Sequence, residues 1–346
     1  MNKNEHRNDP WKREQHEAVR NTVGFYRYTH HLLEVTGEDA PAFLDKMFVN
    51  TIAKGKVGGA KYTTMLNEDG IIIDDIVVFR LEEKRFWIST LFGFKLIDWF
   101  DEHKAGYDVS YDDLLEEEMY AVQGPRSLEL VNAVAAEPVD DLKFFNIRDN
   151  RVGEIPVKIS RCGYSGERGY EIYVAREHME AIHAALTEAG KAFGAKEVTE
   201  LQVMVHTLAT EKGFNLMTDL RGLNPLEADP NTKIDWEKDF IGKKALMKAR
   251  DKGITRQLVG FEFDDPDAFC ESRHRGGNGA PVLLNGEEVG RVTKNTYGFT
   301  LEKNIGFAII DTTKAKLGDR VKINRFDATL TEKTWYDPQS NRPFGR

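Results

Sequence analysis

Residues 161–172 read RCGYSGERGYEI, with three glycines, two tyrosines and two glutamates in twelve positions. GEIPVKIS precedes the stretch and EIYVA ends it, and both carry the apolar/polar pattern of a strand. A plain hairpin turn takes about two to five residues and one or two glycines. This crossing has more glycine than a reversal requires. One reading is a long hairpin whose tyrosines pack across strands. The other is a backbone kept bare so that a flat ligand can approach it closely, held by Glu171 and Tyr164.

Outward from this stretch, the 346 residues exceed what one compact core accommodates, so two or three units are expected. Hydrophobic residues make up 40% and charged residues 30%, the balance of a globular chain. No apolar run approaches the roughly 20 residues of a membrane helix. The start, MNKNEHRNDPWKREQHE, is charged throughout and does not read as a secretory signal. Two cysteines, Cys162 and Cys270, can build neither a disulfide framework nor a multi-thiolate site, which points to reducing cytoplasm. With a net charge of −9 and acids interleaved among the bases, nucleic acid is disfavoured as a partner and a small ligand favoured.

The pattern predicts a helix over about 11–22, then a strand pair in VGFYRYTHHLLEVTG and a helix capped at Thr36. YTTMLNEDGIIIDDIVVFRL reads as strand, turn at 67–70, strand. RFWISTL is another strand, GFKLIDWFDEH a helix, and EEEMYAVQGPRSLELVNAV a strand turning into a helix. Helices are expected at 177–194 and 196–213, and another in DWEKDFIGKKALMKARDKG. Beyond 250–256 the chain changes to short strands with Gly-rich turns, the mark of a small antiparallel barrel.

Phosphate-cradling GxxxxGK[ST] and GxGxxG motifs are absent, as are HExxH and CxxC, so no metal site is predicted. GYSGE approaches a nucleophile elbow in letters but lies between strands. What remains, besides the opening stretch, is Asp74-Asp75 inside IIIDDIVVF. Neighbours on a strand face opposite sides, so one of them points inward and needs either a Lys or Arg partner or a function.

EAVRNTVGFYRYTHHLLEVTGEDAPAFL, YTTMLNEDGIIIDD, VQGPRS, RCGYSGERGYEI, EKGFNLMTDLRGLNPLEA, KDFIGKKAL, GRVTKNTYGFTLEKNIGFAII and WYDP occur in this order. In that order they resemble the folate-binding aminomethyltransferase (glycine-cleavage T-protein) family and its relatives, the tetrahydrofolate-dependent demethylases and dimethylglycine dehydrogenase tails. The resemblance implies an α+β fold: two α+β subdomains over 1–252 and a C-terminal antiparallel β-barrel over 253–346, around a central channel that holds tetrahydrofolate. It also implies that Glu171 grips the pterin's two-donor edge as a charge-assisted pair, with Tyr164 beside it. Asp75 would act near folate N5 as base or electrostatic guide.

Departures from the family pattern bear on the donor. HTLATEKG has Ala209 where the family has arginine, Phe79 stands for tyrosine, Thr90 for asparagine, and Met217-Thr218 for tyrosine-glycine. These losses, with the EKGF and WYDP spellings, lean toward the demethylase relatives. They imply a small methylated N-, O- or S-compound as methyl donor and count against a lipoyl carrier protein. His206 is then the candidate proton donor or substrate contact, against a core histidine as the plain alternative, with His30 and Phe79 as weaker substrate contacts. Trp87 and Phe92 read as core, and Cys162 as a small packed residue. Two other functions stay open: a glycine-cleavage aminomethyltransferase producing methylene-tetrahydrofolate and ammonia, and a non-catalytic folate-binding regulator.

Overall fold

A computed structural model describes residues 9–28, 30–270 and 279–345; the first eight residues of the charged start lie outside them. The first helix, Pro10–Asn21, starts where Asp9 accepts the amides of Trp11 and Lys12, each at 3.1 Å, with proline in the first turn.

Two mixed sheet-and-helix layers follow. The six-stranded sheet runs in the order Lys196–Glu197, Gly24–Tyr28, Glu117–Gln123, Gly169–Ala175, Ile155–Ser160, Ile147–Val152. Helices Ser127–Val134 and Met179–Gly190 cover its apolar face. The five-stranded sheet runs Ala60–Leu66, Ile72–Glu82, Arg85–Thr90, His31–Thr36, Ser110–Asp113, and packs on helices Ala40–Met47 and Gly93–His103. Strands from Arg256 to Thr331 then close a six-stranded antiparallel barrel around its own apolar interior. The α+β architecture with a terminal barrel is as the sequence implied.

Four local expectations are corrected. Gly24–Tyr28 and His31–Thr36 are both strands but are not a pair: the first joins the six-stranded sheet and the second the five-stranded one. Period-two patterning identifies a strand and leaves its neighbour undetermined. Thr36 ends a strand, and Asp39 occupies the cap position of the next helix. The helix expected across 235–253 begins only at Lys243, because Gly242 adopts φ +82°, a left-handed conformation that interrupts a helix. The helix expected over 196–213 starts with a short strand, Lys196–Glu197, and reaches Leu208–Lys212 through a π-turn, Val203–Thr207.

The sheets meet across a second core made of Leu32, Phe79, Trp87, Met119, Ile147 and Tyr173. Arg20 ties the units together. Its guanidinium donates to Ser165 O (2.7 Å) and Glu167 Oε1 (3.0 Å) in the opening stretch, to Glu211 Oε2 (2.9 Å), and to Thr300 Oγ1 (3.2 Å) of the barrel. Its face lies 3.9 Å from the Tyr336 ring. His16 reaches Thr207 and Thr300, both at 2.8 Å, beside the same Glu211. Burying two acids is tolerable here because one planar fork pairs with both.

Candidate functional site

A cavity of about 620 Å³ opens where the three units converge, within the range of small-molecule sites. The six-stranded sheet contributes Glu171, the five-stranded sheet Asp75, and the loop between Ser160 and Gly169 contributes Tyr164. The C-terminal segment returns across the N-terminal units to complete the wall. Its Phe344 ring packs 4.8 Å from that of Phe144, and Arg161 Nη2 holds Pro343 O at 3.1 Å.

Glu171 is partly buried on its strand with no cationic partner among the described residues. Ser160 Oγ and Tyr173 Oη both donate to its Oε2, each at 2.8 Å. Tyr173 reaches it because positions two apart on a strand share a face. No described residue donates to Oε1, which leaves that oxygen for the cavity. Burial raises the carboxyl's pKa, and the Tyr173 and Ser160 hydrogen bonds restrain the rise.

The acid pair divides its roles. Asp74 is the inward one, 1% exposed, and accepts Thr90 Oγ1 at 2.6 Å and the Asp75 amide at 2.9 Å. A basic partner was the plain expectation for this pair. Among the described residues, neither acid has a Lys or Arg within ion-pair distance, and a hydroxyl does the work. Asp75 Oδ2 accepts Tyr62 Oη at 2.9 Å. Burial lifts Asp75 to about 6; the Tyr62 bond and Lys294 pull it down, while Asp219 pushes it up. Asp74 is lifted to about 7, first by burial and then by Asp75, against the Thr90 bond.

Tyr164 stacks on Phe214 with centroids 5.4 Å apart, and its hydroxyl donates to Asn215 O. The glycines around it serve packing as much as any ligand. A Cβ on Gly163 or Gly169 would lie 2.0 or 2.2 Å from Oε1 of Gln123, and Gly166 adopts φ +83°. Gln123 is buried and spends its amide on Cys162 O, Tyr170 O and Ser165 Oγ. The excess of glycine therefore answers to a side chain behind the loop.

The other expected residues separate. His30 lines the cavity, packs edge-on to Tyr173 at 5.8 Å, and its Nε2 has no described partner; burial lowers its pKa. Phe79 does not line the cavity: it is 1% exposed in the core between the sheets, 5.8 Å from the Tyr173 ring. His206 stands on the π-turn outside the cavity lining, in the field of Lys294 and Asp219, with its pKa lowered first by burial. Trp87 is core, whereas Phe92 is 43% exposed on the cavity rim. Cys162 is buried and its thiol pKa raised by burial.

Sequence reasoning missed Tyr62, Ser160 and Tyr173, which position the two acids, and Phe145, which lines the cavity at φ +57°. A phenylalanine in the left-handed region costs energy that surrounding structure must offset, and nothing in KFFN announces it. Among the described residues no group of His, Cys, Asp and Glu is arranged to hold a metal ion, and no helix is long and apolar enough to cross a membrane.

Comparison with known proteins places this geometry in context. The profile described as the GCVT N-terminal domain matches residues 3–238, and that of the glycine cleavage T-protein C-terminal barrel domain matches 256–337. The aminomethyltransferase of Bacillus licheniformis is 32% identical over 345 residues, covering 94% of this chain and 91% of that protein. That of Listeria welshimeri is 33% identical over 319 residues, covering 89% and 84%. The crystal structure of the glycine cleavage system aminomethyltransferase T from Bartonella henselae superposes with a TM-score of 0.83 at 23% identity, over 94% of this chain and 90% of that one, a likeness of fold. The chain belongs to the glycine-cleavage T-protein (aminomethyltransferase) family of enzymes.

Proposed function

We propose that the cavity binds tetrahydrofolate, with its pterin edge at Glu171 and its reacting nitrogen beside Asp75, and that the protein transfers a one-carbon unit to it. The observation that carries this reading is Glu171: a partly buried carboxylate with both described donors on Oε2 and Oε1 left to the cavity. An acceptor pair of that kind suits an edge presenting two N–H donors. Tyr164 and Phe214 offer aromatic faces on the same wall, where a flat ring can pack.

Bound tetrahydrofolate would supply N5, the secondary amine that accepts the carbon. Asp75, with a pKa near 6, is largely ionised at neutral pH and able to take a proton on its carboxylate. Tyr62 holds that carboxylate in place through Oδ2 and moderates its basicity. The aromatic lining and the C-terminal segment limit water at the site.

For the donor, the relatives named aminomethyltransferase favour the glycine-cleavage reaction, in which an aminomethyl group arrives on a lipoyl carrier and leaves as methylene-tetrahydrofolate and ammonia. They weigh against the demethylase reading that the sequence departures suggested. A small methylated donor remains the second reading because of those departures: Ala209 is fully buried, and Thr90 is spent on Asp74.

Calorimetry with tetrahydrofolate tests the shared core of both readings. Glu171→Ala should weaken binding by about 1.5–3 kcal/mol, or about 10- to 150-fold, while Asp75→Asn should bind nearly as the parent does and transfer slowly. Unchanged affinity in the Glu171 variant refutes the assignment.

A further inference from the structure

Lys212 and Lys333 line the cavity, Lys294 acts on Asp75 from the barrel, and two of the three are neutralised. Lys294 Nζ lies 2.9 Å from Asp219 Oδ2, and Lys212 Nζ lies 3.1 Å from Asp337 Oδ2. Lys333 differs. It lines the cavity, and its Nζ donates to Asn215 Oδ1 (3.1 Å) and Ala228 O (3.0 Å), both neutral. No described carboxylate lies within ion-pair distance of it. An ammonium has three donors; two are used here, and the third has no described acceptor. Burial lowers its pKa to about 8, against the raising fields of Asp229 and Asp219. Removing a cation from bulk water without an anionic partner is costly, so its position demands a compensating anion.

We propose that Lys333 anchors a carboxylate of a ligand bound in this cavity. A carboxylate fits better than a phosphate. One ammonium matches one negative charge, whereas Asp229, on the same wall, would repel a dianion. Asn215 connects this anchor to the proposed pterin site, since its backbone oxygen accepts the Tyr164 hydroxyl while its amide oxygen accepts Lys333. The proposal rests on the folate reading for the ligand's identity alone. A carboxylate can come from the glutamyl tail of tetrahydrofolate or from an amino-acid donor such as an N-methylated glycine.

Calorimetry on the full chain separates these sources with three probes: tetrahydrofolate, tetrahydropteroate (the same rings without glutamate) and N,N-dimethylglycine titrated alone. In Lys333→Met, the carboxylate that this lysine holds should bind at least tenfold more weakly, with tetrahydropteroate unchanged and Lys333→Arg close to the parent. Loss confined to tetrahydrofolate assigns the glutamyl tail; loss confined to dimethylglycine assigns the donor. Equal binding of all three probes to the Met variant overturns the proposal, as does an equal loss for tetrahydrofolate and tetrahydropteroate. Should the Met variant fail to fold, the parent still decides: either its preference for tetrahydrofolate over tetrahydropteroate or its binding of dimethylglycine should shrink in concentrated salt, and a parent that shows neither overturns the proposal. A parent that binds neither folate refutes the function proposed above, while dimethylglycine binding still reads Lys333.

Discussion

Replacing Tyr62 with phenylalanine removes the one side-chain donor to Asp75 Oδ2 among the described residues and leaves the ring in place. A hydrogen bond to a charged group contributes about 1.5–3 kcal/mol when enclosed. Tyr62 is 47% exposed, so solvent competes and about 1 kcal/mol is the better figure. At 1.36 kcal/mol per unit, that moves the Asp75 pKa up by about 0.7. The direction follows from the charge: the hydroxyl favours the ionised form, and losing it favours the proton. If Asp75 acts as a base, kcat/KM falls as pH drops through about 6 in the parent. In Tyr62→Phe the same limb should sit between 6 and 7, with the high-pH plateau kept within a few-fold. The assay is the pH dependence of kcat/KM, paired with carbon NMR of the Asp75 carboxyl, which needs no donor. An unmoved limb, or one moved to lower pH, refutes the view that Tyr62 tunes this acid.

Three further outcomes follow from the packing around the cavity. Arg20→Met strands Glu167 and Glu211 without their cation and should lower stability by about 3–5 kcal/mol, read by denaturant unfolding. In the parent, burial would raise Glu211, but His16 and Arg20 bring it down to about 2. Its contribution is therefore complete above the unfolded carboxyl's pKa near 4.5 and is lost as pH falls from there toward 2, and a flat stability profile across that window would contradict the pairing. Gly163→Ala should cost about 1–3 kcal/mol by overpacking Gln123, and adding Gln123→Ala should recover part of that loss; strictly additive losses would show that the glycine answers to something else.

Legibility in the sequence tracked the range of the interaction. The opening stretch, the apolar strand bearing Asp74-Asp75 and the terminal barrel are local patterns, and Glu171, Tyr164 and Asp75 do line one cavity. Residues that brace the surrounding structure escaped notice where their partners lie far away in sequence. Arg20 meets Glu167 across 147 positions, and Lys333 meets Asn215 across 118. Even Tyr62, only 13 positions from Asp75, depends on strand register, which alternation alone leaves open. His206 was singled out because its segment departs from the family pattern, and the π-turn on which it stands has no counterpart in the letters.

The sharpest consequence concerns Phe79, which lies in a core and not in the cavity. The acids of the site stand on different sheets, so their separation is set by how the sheets pack, and Tyr173 lies at that contact. Its hydroxyl holds Glu171, while its ring meets His30, Phe79 and Trp87 at 5.8, 5.8 and 5.9 Å. Two of those rings, Phe79 and Trp87, come from strands of the five-stranded sheet, the sheet that carries Asp75. A change at position 79 therefore reaches the Glu171 carboxylate through one tyrosine, without lining the cavity. Close packing transmits such shifts instead of absorbing them. A residue that departs from its family's pattern thus need not mark a new substrate contact; here its effect runs through the geometry that holds Glu171 opposite Asp75.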